Sequence, residues 1–299
     1  MPVSPRKHAT PGAFGAWILG ASLLVLPTGC TWTSDPGTSA MSFASEPLVG
    51  KIVWNDLITE DLDSAHRFYA GLFGWTFEQT KGPEGRPYWL ARSGRIYVAG
   101  MVAVPPPPSG SEDFSRWLPY MSVKSVDASV VTATTAGARI AAAARNVSLG
   151  RVAAIVDPEG AVIGLARSRI GDPDDATTAP AAGRVVWTEL LANDPSSAAQ
   201  FYATVIGYVP RTIVRRGGHY TLLTVEGADR AGILQNPSNT AAPAWLTYFG
   251  VSDPAAAADR VEALGGKVVL RPSEQLREGT MAVVTDPSGA LFALRKVNP

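Results

Sequence analysis

The chain has 299 residues, enough for about two domains that each bury a core of their own. Apolar residues make up 46% and charged residues 17%, the balance of a globular chain rather than a disordered one. Acidic and basic residues cancel at 26 each with no Lys/Arg-rich run, which argues against a nucleic-acid partner, and three histidines and one cysteine leave little for zinc clusters or disulfides.

Residues 1–30 read as an export address. Arg6, Lys7 and His8 precede an uncharged apolar run from Ala13 to Leu26. At 1.5 Å per residue that run spans roughly 21 Å, short of the roughly 30 Å hydrocarbon core, so it is a signal segment rather than a membrane span. Its end, Leu26-Pro27-Thr28-Gly29-Cys30, resembles a bacterial lipobox, with Pro27 where an aliphatic residue is usual. That resemblance implies lipidation of Cys30 and a place in the cell envelope facing the periplasm or exterior, with simple secretion as the alternative. Residues 31–46 are rich in Ser, Thr, Gly and Pro and read as a flexible tether.

The remainder is an internal repeat. Val53-Trp54-Asn55-Asp56-Leu57 returns as Val186-Trp187-Thr188-Glu189-Leu190, and Trp117-Leu118-Pro119-Tyr120 as Trp245-Leu246-Thr247-Tyr248. The copies occupy 47–170 and 184–297, with an Asp/Thr/Pro/Ala-rich linker over 171–183. Within the first copy Ile52–Leu57 reads as a strand. Asp61 then caps a helix with Leu62, Ala65, Phe68, Tyr69 and Leu72 on one face, stopped near Gly74. Strands at Tyr88–Arg92, Ile96–Val102 and Tyr120–Val123 precede a second helix from about Asp127 to Ala136. In the second copy Asp194-Pro195 and Asp253-Pro254 are helix starts, and Gly265 is a stop. Asp157-Pro158-Glu159-Gly160 and Asp286-Pro287-Ser288-Gly289 read as tight turns between the last strands of each copy. Pro105–Pro108 reads as a stiff crossover.

Strand, helix and three strands, repeated twice per copy, with a helix ending in Phe-Tyr-x-x-Leu-Phe-Gly-Trp and a late Asp-Pro-x-Gly turn, resembles the vicinal oxygen chelate superfamily. Its members include glyoxalase I, extradiol dioxygenases and the fosfomycin and bleomycin resistance proteins. The resemblance implies an α+β fold of tandem glyoxalase-like domains, each of two βαβββ modules curling a mixed sheet into a cup. Metal-dependent members carry His, Gln or Glu on the first and fourth strands of each module. Those positions align here with Trp54, about Gly100, Leu118 and Gly164, and with Trp187, about Gly232, Leu246 and Ala293. None of these is a metal donor, so no metal and no cofactor is expected. His66, in the first helix, reads as boundary or exposed, and His219 as loop; neither refills the set.

Residues i and i+2 of a strand share a face, so Trp54 with Asp56, and Trp187 with Glu189, place an indole beside a carboxylate on the inner wall of each cup. Tyr88, Tyr120, Tyr220 and Tyr248 recur between copies and add to the lining. Such a wall suits a flat or cationic organic ligand. Equally, the tryptophans fill a vacated cavity as core, and the carboxylates satisfy their indole N–H groups. Asp56 and Glu189 are the weak candidates for acid–base catalysis. Three functions follow: an envelope-anchored small-molecule binder, a glyoxalase-, dioxygenase- or hydroxylase-type enzyme, and a structural or interaction module. Tandem fusion allows a monomer with its domains paired within the chain, or a homodimer.

Overall fold

The computed structural model describes residues 42–298 apart from 83–85, 106–114, 176–179, 216–217, 238–240 and 276. The signal segment, Cys30, most of the tether and most of the proline crossover lie outside the described residues. In the first copy β2 (Ile52–Thr59), α1 (Leu62–Phe73), β3 (Thr76–Lys81), β4 (Pro87–Ser93) and β5 (Ile96–Ala103) form one βαβββ module. The second module is β6 (Arg116–Ser122), α2 (Val126–Thr135), β7 (Arg139–Val147), β8 (Gly150–Val156) and β9 (Val162–Ser168). They join into a single mixed sheet of order β3-β4-β5-β2-β6-β9-β8-β7.

The second copy repeats this with β11 (Val185–Ala192), α3 (Pro195–Ile206), β12 (Val209–Arg215), β13 (Gly218–Val225) and β14 (Ala228–Gln235), then β15 (Ala244–Val251), α4 (Pro254–Ala263), β16 (Lys267–Leu270), β17 (Met281–Thr285) and β18 (Leu291–Lys296). Its sheet order is β12-β13-β14-β11-β15-β18-β17-β16. The fold is therefore α+β with two eight-stranded mixed sheets, as the repeat and the resemblance implied.

Helix starts follow the capping chemistry. Asp61 accepts from Ser64 N at 2.9 Å and Gly74 ends α1 at φ 69°, while Asp194 accepts from Ser196 and Ser197 N at 3.0 and 3.1 Å behind Pro195. Four local readings shift. The β6 strand begins at Arg116 rather than Tyr120, because Arg116–Pro119 pairs with β2. Helix α2 begins at Val126 behind a Ser125 cap, one residue before the expected start near Asp127. His219 lies in β13, paired with Val214, rather than in a loop. The last tether residues are not free: β1 (Phe43–Ala44) pairs antiparallel with β10 (Asp172–Pro173) in the linker. Buried Asp172 holds that corner, accepting from Leu48 N at 2.8 Å and Ser122 Oγ at 2.5 Å.

The two domains share their cores. One apolar cluster joins Val126 and Val130 of α2 to Phe201, Tyr202 and Leu223, and the other joins Phe68, Leu72 and Trp75 to Phe249, Val261 and Phe292. Each Asp-Pro-x-Gly turn is part of the joint. Asp157 Oδ1 closes its own turn by accepting from the amides of Glu159, Gly160 and Ala161 at 2.8–3.0 Å. Its Oδ2 accepts from Tyr202 OH of the other domain at 2.9 Å, and that hydroxyl accepts from Trp245 Nε1 at 2.9 Å. The reciprocal chain runs from Trp117 Nε1 through Tyr69 OH (3.0 Å) to Asp286 Oδ2 (3.1 Å). The helix tyrosines are core, as their spacing implied, but their hydroxyls are interdomain ties.

Candidate functional site

The inner walls of the two sheets carry the same four-residue group. In the first cup β2 supplies Trp54 and Asp56, β4 supplies Tyr88, and β6 supplies Tyr120. Asp56 is fully buried, and its Oδ1 accepts from Trp54 Nε1 at 2.9 Å and Tyr88 OH at 2.7 Å. Trp54 Nε1 also lies 2.9 Å from Tyr88 OH, so the indole straddles both. Tyr120 faces the carboxylate closely enough to lower its pKa, yet its hydroxyl and Asp56 Oδ2 are both buried without a hydrogen-bond partner. Burial dominates, pushing the Asp56 carboxyl up to about 6 against the opposing pull of Tyr88, Trp54, Tyr120 and the Arg145 charge.

The second cup repeats the group one methylene longer. Glu189 Oε1 accepts from Trp187 Nε1 at 3.1 Å and Tyr220 OH at 2.7 Å, and Oε2 accepts from Tyr248 OH at 2.5 Å. Trp187 Nε1 lies 2.8 Å from Tyr220 OH. Strand alternation does not announce the next partner. Arg277 donates from Nη2 to Glu189 Oε1 and Oε2 at 2.7 and 2.8 Å, with its guanidinium carbon 5.7 Å from the Tyr220 ring centre and 5.5 Å from that of Tyr248. It enters from a strained turn in which Arg277 and Glu278 have φ of 49° and 57°. Burial alone would lower the Arg277 pKa, but Glu189 outweighs it and the guanidinium is held above its ordinary value. The second cup is thus filled by a planar cation of its own chain.

All eight predicted site residues are brought together, four to a cup. Across the parallel strand pairs Asp56 stands opposite Gly100 and Tyr120 opposite Gly164, and Glu189 faces Gly232 and Tyr248 faces Ala293 in the same way. Leu118 and Leu246 are fully enclosed in the apolar lining. The glycines are there to admit tyrosines: a Cβ on Gly100 would stand 1.8 Å from Tyr88 OH and 2.2 Å from Asp56 Oδ1, and one on Gly232 would stand 1.9 Å from Tyr220 OH. Gly100→Ala is therefore expected to displace Tyr88 and destabilise the protein by about 1–3 kcal/mol, read as a shift in the denaturant midpoint. An unshifted midpoint would mean that the Tyr88 contact yields freely.

A metal of the kind bound by relatives of this fold does not fit these residues. Each cup offers a single carboxylate, and no group of three His, Cys, Asp or Glu side chains that could hold a metal exists among the described residues. His66 is packed instead, its ring 4.3 Å from Phe77 and 4.6 Å from Trp89. His219 is exposed.

Comparison with known proteins gives a consistent picture. Residues 184–294 match the Glyoxalase/Bleomycin resistance protein/Dioxygenase superfamily. Over 261 residues the chain is 33% identical to CFP32 of Mycobacterium tuberculosis, which bears a glyoxylase name, covering 85% of this chain and 98% of that one. It is 29% identical over 257 residues to the anthracycline biosynthesis protein DauV of Streptomyces sp. (strain C5), covering 82% and 92%. Among solved structures, the Mn(II)-bound glyoxalase from Novosphingobium aromaticivorans matches with a TM-score of 0.56 at 16% identity, covering 84% of this chain and 83% of that one. That likeness is one of fold.

Proposed function

Because the chain belongs to the Glyoxalase/Bleomycin resistance protein/Dioxygenase superfamily but offers no metal donor set in its cups, we propose that it is a glyoxalase-like protein that binds a small organic molecule in a metal-free cup. Its place is the cell envelope, through a lipid on Cys30. The observation that carries the binding reading is the second cup, where a buried carboxylate and two phenol rings hold the planar cation of Arg277. The first cup has the same wall, with one carboxylate oxygen and one phenol still unpartnered. It is the cup for an external aromatic or cationic group, hydrogen-bonded to Asp56 Oδ2 and Tyr120 OH and bordered by Trp54. The names of DauV and of DnrV from Streptomyces peucetius, both for anthracycline biosynthesis, support an aromatic compound as the ligand.

Two measurements test this. After exposure to Ni, Zn, Mn and Fe and desalting, the purified protein is expected to retain no metal by mass spectrometry. A metal near one per chain would return the metalloenzyme to the front. Thermal shift against a panel of aromatic and cationic compounds is expected to give hits that Tyr120→Phe weakens, and a panel without hits would remove the binding reading.

A second reading, catalysis without metal, rests on Asp56 itself. A buried carboxyl with a pKa of about 6 and a free oxygen suits a general base near neutral pH. Its test is Asp56→Asn, which must abolish any turnover found.

A further inference from the structure

Between the two domains lies a cleft of about 250 Å³ walled by the starts of the two first strands, β2 and β11, with Trp54 and Trp187 of the two cups in its lining. Its apolar walls come from Ile52, Val98 and Val185. Its charged lining is of both signs. Lys51, Arg184 and Arg230 face Asp175 and Asp229, and Asp229 is turned toward Arg211 at 3.3 Å. Asp175, from the interdomain linker, is shared. It meets Lys51 Nζ at 3.0 Å and Arg230 Nη1 at 2.8 Å, although its side chain is 59% exposed while theirs are 10% and 11%.

Lys51 Nζ also donates to Pro173 O at 2.5 Å, so the unmatched donors are on the arginines. Arg230 Nε is buried with no hydrogen-bond partner. Arg184 borders the cleft without an ion-pair partner among the described residues. It stands at the position that Lys51 holds in the first copy, so each domain contributes one cation from the same place in its repeat. Burial lowers the Lys51 pKa against the opposing pull of Asp175 and Asp172. Apolar walls around a few convergent polar groups are the usual make-up of a small-ligand site.

We infer that this cleft is a second binding site, for a small monocarboxylate with an apolar body, its carboxylate received by Arg184 and Arg230 and its body lying against the valine and isoleucine wall. The anion gives Arg184 a counter-charge and competes with Asp175 for Arg230. Occupying it spans both copies, so the site exists only in the paired double domain.

Benzoate is the probe, with neutral benzamide as its isosteric control, titrated calorimetrically into the full-length protein. Saturable binding of one benzoate per chain is expected, with none for benzamide. Arg184→Met, which breaks no ion pair, is expected to weaken it at least tenfold while leaving the melting temperature in place. Asp175→Asn is expected to tighten it severalfold by freeing Arg230, a gain that non-specific adsorption does not produce. No saturation at millimolar benzoate would overturn the inference. So would equal binding of benzamide, or an affinity unmoved by both substitutions. Because Asp56 takes no part, Asp56→Asn is expected to leave benzoate binding unchanged; its loss there would assign the benzoate to the cup instead.

Discussion

Glu189→Ala is expected to destabilise the protein by about 3–5 kcal/mol, the cost of leaving a largely buried charge without its partner. The Arg277 side chain is 25% exposed and that of Glu189 not at all, so water replaces little of what is lost. The substitution also strands Tyr248 OH, and leaves the Arg277 guanidinium with only the Tyr220 and Tyr248 ring faces. The double variant Glu189→Ala, Arg277→Met should recover much of the deficit, because it removes the orphaned charge together with its turn-borne source. Denaturant midpoints of the two single variants and the double variant decide it. If Glu189→Ala costs under about 1 kcal/mol, or the double variant is no better, Arg277 is not held in the cup as a buried pair.

This interaction also marks where sequence reasoning stops. The strand pairs Trp54–Asp56 and Trp187–Glu189 were legible because alternation on a strand is strict: two residues apart means one face. The tyrosines were legible because the repeat brought each back at the same place. Arg277 was not. It sits in a turn whose left-handed backbone at Arg277 and Glu278 no local pattern announced, whereas the charge that acts on Asp56 in the first cup comes from Arg145 of β7. The only signal available was the loop just ahead of β17, where the two copies differ in length. The cross-strand partners of the cup carboxylates were not legible for a related reason. Capping Asp residues fix where a helix begins, whereas the partner of Gly100 is fixed by strand register, and register is a tertiary quantity. Likewise Tyr69 and Tyr202 were readable as helix core, but not the hydroxyl bonds that carry them to Asp286 and Asp157 across the domain interface. Fold class and cup lining were therefore written in periodicity and repetition; the closing of one cup and the charge of the interdomain cleft were not.

Asp56→Asn, by contrast, is expected to stabilise the protein at neutral pH. Burial raises the folded-state pKa of Asp56 from 3.8 to about 6. The folded chain therefore binds this proton more tightly than the unfolded chain does. Its contribution to stability is fully present below about pH 4 and is lost as pH rises through about 6, an interval worth roughly 3 kcal/mol. Asparagine is neutral throughout. Its amide oxygen can accept from Trp54 and Tyr88, and its NH₂ faces Tyr120 OH, which has no partner in the native cup. The gain over the native protein should approach about 3 kcal/mol near pH 7.5 and shrink toward zero by about pH 4. Asp286, also raised to about 6 by burial, is present in both proteins and cancels in the difference. Urea unfolding of the two proteins across that range is the measurement, and parallel curves at every pH would show that Asp56 is not the titrating group. A gain of the expected size has a consequence for function. An ionised carboxylate that lowers the stability of its own domain is what a cup kept ready for a hydrogen-bonding ligand contains, and a carboxylate serving only to cap an indole would be better replaced by its amide.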